Sequence, residues 1–432
     1  MPFMDFTLLT HPRLRLAVLC LLYVAQGLPC GFVTVTLAAH LATRGATPGE
    51  IGGVVAMNFL PWSFKWLWGP LVDSGMFPSL GRRRPWLLVA QCLAFLTAAA
   101  LVAVPEGDLW LLGWLVFVHN VFVGLQDVAV DALTVDMLVG RDRERACGMM
   151  YGSSYLGTFL GGAGLGVVAA RRDLSTAIAL MAALQAAMFL MVLACRERPG
   201  ERYLLGWFSR PAVRPAHAPL HLLGMARALA HGMTRPAALR AAVGAFSVKI
   251  LPAALAAIMT VELIERLGWS RERFSAVTGS AVLFGLASGV AGGFLSGWLG
   301  ARLTALLANF LVGSAWIAFS CLSRFWDRSD IVFGWVALDA VCLAMSSVAL
   351  FGIFMRVASP AVAATQFTAS MALMNFATSC GSWLAGPLAT WCDTPTAFLA
   401  AGCLQPVGCL LLPRTEAAPV TAAAPPTADG GA

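Results

Sequence analysis

Five ionisable side chains stand where the sequence is otherwise apolar: Lys65, Asp127, Asp131, Lys249 and Asp339. Two of them fall in GLQDVAVD (124–131), inside an apolar run from Leu109 to Leu138 that is long enough to cross a bilayer. Asn120, Gly124, Asp127 and Asp131 follow one another at intervals of four, three and four, so they share one stripe of a helix. A charged side chain at a helix centre costs about 2.5–3.5 kcal/mol on insertion scales. Five facing lipid without partners would cost on the order of 15 kcal/mol, so they are expected to face protein or a wet cavity. Two carboxylates one turn apart repel, and low dielectric penalises ionisation. The pair is therefore a candidate for loading and releasing a proton as a site changes sides. The competing reading is that Asp127 and Asp131 pair with Lys65 and serve packing alone.

Lys249 lies about twelve residues, or ~18 Å, from the start of its own apolar run, near mid-membrane. Asp339 enters from the other side, so the two could meet. A solute carboxylate or phosphate could then displace Asp339 from Lys249; a permanent ion pair is the alternative. Tyr23 and Gln26, three apart, could add hydrogen bonds to a solute. The tryptophans Trp62, Trp66, Trp68, Trp86, Trp110 and Trp114 cluster near run ends, as interfacial anchors do, and are not read as an aromatic box.

The elements that carry these residues follow from composition. Of 432 residues, 59% are hydrophobic and 12% charged, which cannot build a water-soluble surface and defines an all-α integral membrane protein. Twelve apolar runs are expected to span: 14–40, 49–71, 86–105, 109–138, 146–170, 174–195, 237–262, 274–298, 302–323, 331–356, 362–390 and 395–412. The start lacks a cleavable signal, so the first run is kept. Nineteen arginines fall at the ends expected inside and eight at those outside, giving an N-in, C-in protein. The formal charge of +7 is thus an orientation signal, and no nucleic-acid partner is expected. The eleven cysteines fall almost wholly within or at the ends of runs and read as small buried hydrophobes. With no zinc-type spacing, nucleophile elbow, His-Glu-x-x-His or phosphate-cradling loop, neither a metal, a cofactor nor an enzyme activity is expected, and ion gradients replace ATP as the energy source.

The chain divides into residues 1–195 and 237–413, each a six-run bundle. Between them, 196–236 is a polar, proline-rich linker with an amphipathic segment, HLLGMARALAHGM, suited to the inner membrane surface. The tail 414–432 reads as disordered. Slid by 223 positions, the halves match: Leu28-Pro29 on Leu251-Pro252, Gly45-Ala46-Thr47 on Gly268-Trp269-Ser270, Ile51 and Val54 on Phe274 and Val277, with Gln26 opposite Lys249. Paired six-span halves are what alternating-access transporters use, with solute held between them. Gly161, Gly162, Gly164, Gly292 and Gly293 permit close helix approach.

The stretch GPLVDSGMFPSLGRRRPW (69–86) resembles the loop signature of the major facilitator superfamily. With YVAQGLPCGF (23–32), NFLPWSFKWLWGPLVD (58–73), QDVAVDALTVDML (126–138) and ATQFTASMALMNF (364–376), the chain looks most like the AmpG-like peptide, acetyl-coenzyme A and drug transporters. The resemblance implies a loop, Gly69 to Arg84, in which Asp73 and Arg82, Arg83 and Arg84, with Gly81 between them, latch the inner gate, and Asp136 is their partner. It also implies that the first, fourth, seventh and tenth runs line the cavity. Relatives carry muropeptides, siderophores or acetyl-coenzyme A. The chain departs from the muropeptide permeases in having twelve rather than fourteen expected spans, and in reading DALTVDML (131–138) where those have an arginine-containing segment. The expected function is proton-coupled uptake of a polar or anionic solute, muropeptide-like or siderophore-like, by a monomer in an inner membrane. The alternatives are an acetyl-coenzyme A or drug transporter and a non-transporting receptor or scaffold.

Overall fold

The computed structural model describes residues 7–73, 80–105, 107–138, 140–199, 201, 222–359 and 363–414. The disordered-tail expectation and most of the linker therefore lie outside the described residues, as does the Asp73 side chain. The first half contributes α1 (Pro12–Thr43), α2 (Pro48–Phe59, continued by Leu60–Leu67 and Trp68–Asp73), α3 (Arg84–Leu101), α4 (Leu109–Met137), α5 (Gly140–Phe159, continued by Leu160–Gly164 and Leu165–Arg171) and α6 (Leu174–Ala194). A shorter α7 (Leu222–Thr234) precedes the second half: α8 (Pro236–Arg266), α9 (Arg271–Leu299), α10 (Ala301–Cys321), α11 (Ser329–Val357), α12 (Ala363–Trp391) and α13 (Thr394–Leu410). Nine described helices, namely α1, α3, α4, α5, α6, α8, α9, α10 and α11, are long and apolar enough to cross a membrane.

Short connections turn the chain back and forth between two ends. One, the terminal end, carries the start of α1, the close of α13 and α7. Turns at the far end are set by local chemistry. Thr47 and Glu50 form a capping box at α2, and Asp108, Asp173, Ser270 and Asp393 each accept a backbone N–H at the start of α4, α6, α9 and α13. Gly45 and Gly268 hold φ of 80° and 65°, which only glycine adopts freely, two residues before the caps Thr47 and Ser270. The 223-position match between the halves is thus a match of one turn design.

A second shared device lies inside the helices. Pro29 and Pro252 lack an N–H, so the carbonyls of Ala25 and Val248 lose their helical partners. Gln185 donates to the Ala25 carbonyl at 3.1 Å and Gln405 to the Val248 carbonyl at 3.0 Å. Each half therefore breaks its first helix with a proline and repairs the break with a buried glutamine from its last helix.

The apolar cores show how the halves meet. The largest continues from one half to the other at the far end, where Leu28, Phe32, Ile51 and Leu165 share it with Leu255, Ile258, Phe274 and Phe398. At the terminal end the cores are separate: Leu19, Leu22, Trp86, Val130 and Met150 belong to the first half, and Ala245, Val248, Leu350, Phe354 and Cys409 to the second. The halves are packed together at the far end and part toward the terminal end.

Candidate functional site: a charged cavity between the halves

Between the halves lies a cavity of about 560 Å³. Its wall contains Tyr23, Gln26, Lys65, Asp127, Asp131, Lys249 and Asp339, so all five ionisable residues singled out in the apolar runs reach one space. Helices α1, α4, α8 and α11 line it, as the resemblance implies. So do α2, α5 and α12, through Trp62, Tyr151, Ser154, Met374 and Asn375.

The acidic stripe divides into two environments. Asp127 is buried and meets Lys65 Nζ at 3.1 Å, both side chains being at most 10% exposed. Asp131, one turn on, is exposed to the cavity and accepts a hydrogen bond from the Tyr23 hydroxyl. Both carboxylates thus reach the cavity wall, and it is Asp127 that pairs with Lys65. Asn120 is outside the cavity wall: it is buried, donates to the Val116 carbonyl at 2.9 Å and accepts from Trp62 Nε1 at 3.3 Å. Helical spacing placed it on the right stripe, but its end of the stripe turns into the α2–α4 contact.

Lys65 owes its position to Pro61, which weakens the helical ladder so that Leu60–Leu67 tightens into a 3₁₀ helix. With three residues per turn, Trp62 and Lys65 stack on one face, and the ammonium sits 5.9 Å from the indole centroid. Trp62 is consequently a cavity residue rather than the interfacial anchor its place near a run end implied.

On the opposite wall Lys249 donates to Ser347 Oγ at 2.8 Å, and Asp339 accepts from Trp316 Nε1 at 2.8 Å. The two do not come within 4.0 Å of each other, so they form no salt bridge in this state. Each charge is nonetheless near enough to act on the other.

The terminal end of the first half is knitted by the loop signature. Arg83 meets Asp136 at 2.9 Å and the Val72 carbonyl at 2.9 Å, and Arg82 lies 3.8 Å from Asp136. Arg84 donates to the Val192 and Leu193 carbonyls, capping α6. Gly81 takes φ of 107° at the turn, whereas Gly69 has open space around it. Sequence reasoning passed over Glu197, whose carboxylate accepts the backbone N–H groups of Arg82, Arg83 and Arg84 at the start of α3. Glu201 in turn accepts the Glu197 N–H at 2.9 Å. Burial pushes the Glu197 carboxyl up, against those N–H groups. Burial first, and then Glu197 beside it, push Glu201 up to about 7. Leu8 and Leu9 N–H groups pair with the Arg196 and Glu197 carbonyls, fastening the N-terminal segment over this cluster.

Close helix contacts let the walls approach. A Cβ on Gly27 or Gly31 would lie 2.0 Å from the Ser154 or Thr158 carbonyl oxygen, and one on Gly157 or Gly161 would lie 2.2 or 2.0 Å from the Val24 or Leu28 oxygen. Two Gly-x-x-x-Gly pairs therefore dock α1 on α5, a signal readable in the sequence at 27/31 and 157/161.

A family model described as "Acetyl-coenzyme A transporter 1" matches residues 15–107. The anhydromuropeptide permease of Escherichia coli (strain K12) is 33% identical over 134 residues, 30% of this chain and 26% of that protein. The chain spans about a quarter of the length of the curated relatives it matches. Among solved structures, nucleoside transporter NupG superposes with a TM-score of 0.70 at 14% identity, covering 92% of this chain and 98% of that one. A D-xylose-proton symporter does so with a TM-score of 0.71 at 12% identity, covering 93% and 97%. This likeness is one of fold. Fold and helices define a polytopic helical membrane protein whose architecture is similar to that of these transporters. In sequence, the first third of the chain is similar to these acetyl-coenzyme A transporter and anhydromuropeptide permease proteins.

Proposed function

We propose that the protein is a twelve-span, N-in, C-in secondary transporter of an inner membrane, taking up a polar or anionic solute with protons by alternating access. Its halves are 1–195 and 237–413, and it acts as a monomer. The observation that carries the reading is the convergence of Lys65, Asp127, Asp131, Lys249 and Asp339 on one cavity between halves that share a core at one end only. With the terminal end inside, this state faces the cytoplasm. Asp131 is the proton carrier: it faces the cavity and has a hydroxyl rather than a cation as its partner. Asp127 and Lys65 neutralise each other and shape that wall. Lys249 is the anchor for an anionic group, because its hydrogen-bond partner is the neutral Ser347. Muropeptide-like and siderophore-like solutes both present such a group.

The test is uptake into proteoliposomes of an anhydromuropeptide and of a ferric siderophore under an imposed pH gradient. Asp131→Asn abolishes gradient-driven uptake of the transported solute while counterflow exchange persists. Gradient-driven uptake that survives Asp131→Asn at full rate contradicts the assignment.

A further inference from the structure

We infer that Trp316 is a positioning residue: it pins Asp339 away from Lys249 and so keeps the Lys249 ammonium available to an anionic solute. The inference rests on the reading of Lys249 as the solute anchor.

Asp339 and Lys249 line the same cavity, and in a low-dielectric wall an unrestrained carboxylate would draw the long, flexible lysine side chain across to it. Instead each is held by a neutral partner: Asp339 by Trp316 Nε1 at 2.8 Å, Lys249 by Ser347 at 2.8 Å. Ser347 lies eight residues beyond Asp339 on α11, about 12 Å along the axis, with Leu343 filling the wall between them.

The indole that pins Asp339 is itself immobilised. Trp316 is 1% exposed and meets Phe398 edge-on at 6.5 Å and 87°. Phe398 packs on Phe319, Trp326 and Trp335, and Phe319 stacks on both of those indoles, at 4.7 and 4.3 Å. A side chain locked by packing can hold a hydrogen-bond partner in one place. Satisfying a buried indole N–H does not by itself account for the bond. Trp335 Nε1, one turn before Asp339 in the same cluster, is buried with no partner, and so is Trp269 Nε1.

The chain has two lysines, Lys65 and Lys249, so one residue reports and the other serves as control. In the purified full-length protein, acetylation by acetic anhydride is followed at each lysine by mass spectrometry. In Trp316→Phe, Asp339 is released to pair with Lys249, and acetylation of Lys249 slows about fivefold or more, the shift an ion pair of modest strength gives. Lys65 is unchanged. Adding Asp339→Asn to Trp316→Phe restores the rate, which a mere packing defect would not allow. Asp339→Glu lengthens the carboxylate toward Lys249 without touching the aromatic cluster and also slows acetylation, so the claim stands on a second variant if Trp316→Phe folds poorly. An unchanged Lys249 rate in both Trp316→Phe and Asp339→Glu, or a slowing that persists in the double variant, overturns the positioning role. If acetylation follows the prediction but Lys249→Gln leaves the half-saturation for the transported anion unchanged, the solute reading fails while the pinning stands.

Discussion

Neutralising Asp127 and neutralising Asp131 should have opposite consequences, although the residues lie one turn apart. Asp127 forms a buried ion pair with Lys65, at 3% and 8% exposure. Asp127→Asn leaves an ammonium in low dielectric without its counter-charge, and breaking such a pair costs about 3–5 kcal/mol. At roughly 2.1 cal/mol/K of unfolding entropy per residue over 432 residues, that lowers the unfolding midpoint by roughly 3–6 °C. Asp131→Asn keeps an oxygen that accepts the Tyr23 hydroxyl, and its site is open to the cavity, so the cost stays within about 1 kcal/mol, or roughly 1 °C. Thermal unfolding of both variants in detergent, followed by uptake in proteoliposomes, separates the effects. Asp127→Asn loses stability, and both gradient-driven uptake and exchange fall with the folded fraction. Asp131→Asn keeps stability and exchange and loses gradient-driven uptake alone. Replacing the pair together, Lys65→Met with Asp127→Leu, should recover most of the lost stability, since no charge is then stranded. Equal destabilisation by the two single variants refutes the division of roles.

Gly31→Ala puts a methyl 2.0 Å from the Thr158 oxygen and should destabilise by about 1–3 kcal/mol in thermal unfolding, whereas Gly53→Ala, with nothing within 4 Å, should be neutral or slightly stabilising. Gln185→Leu and Gln405→Leu each strand a proline-freed carbonyl and should each cost about 1–3 kcal/mol, adding in the double variant because the sites lie in different halves. Glu201 has its carboxyl raised to about 7 by burial and then by Glu197, above its ordinary 4.5, so the folded state holds its proton more tightly. That contribution is complete below about pH 4.5 and is lost as pH rises through 7. The midpoint should therefore fall across that window in the parent, and Glu201→Gln should flatten the fall.

The sequence made the central site legible because charge in an apolar run has few explanations. Lys65, Asp127, Asp131, Lys249 and Asp339 were each picked out by cost alone, and each lines the cavity. The repeat was legible through Gly45/Gly268 and Pro29/Pro252, where backbone geometry constrains the residue type. What escaped depended on rotation and partnership. Periodicity put Asn120 on the stripe of Asp127 but could not show that it turns to Trp62. The 3₁₀ turn after Pro61 moved Trp62 from the expected lipid interface into the cavity wall. Glu197 sat in a stretch read only as linker, although its three N–H partners begin α3, far away in sequence. Helix ends also shifted with local chemistry: the third run was expected over 86–105, and the helix runs Arg84–Leu101, because Arg83 and Glu197 fix its start.

The proposed transport requires that the two halves, which share a core at one end, exchange which end is joined. The direct measurement is a pair of electron-spin distances in cysteine-replaced protein in nanodiscs: Leu9 to Met355 across the terminal end and Arg172 to Glu272 across the far end, the first three exposed and Glu272 half-buried. As pH is lowered from 8 to 5, the two distributions should shift in opposite senses, one lengthening as the other shortens. Distances at both ends that stay fixed, or that lengthen together, contradict alternating access in this molecule.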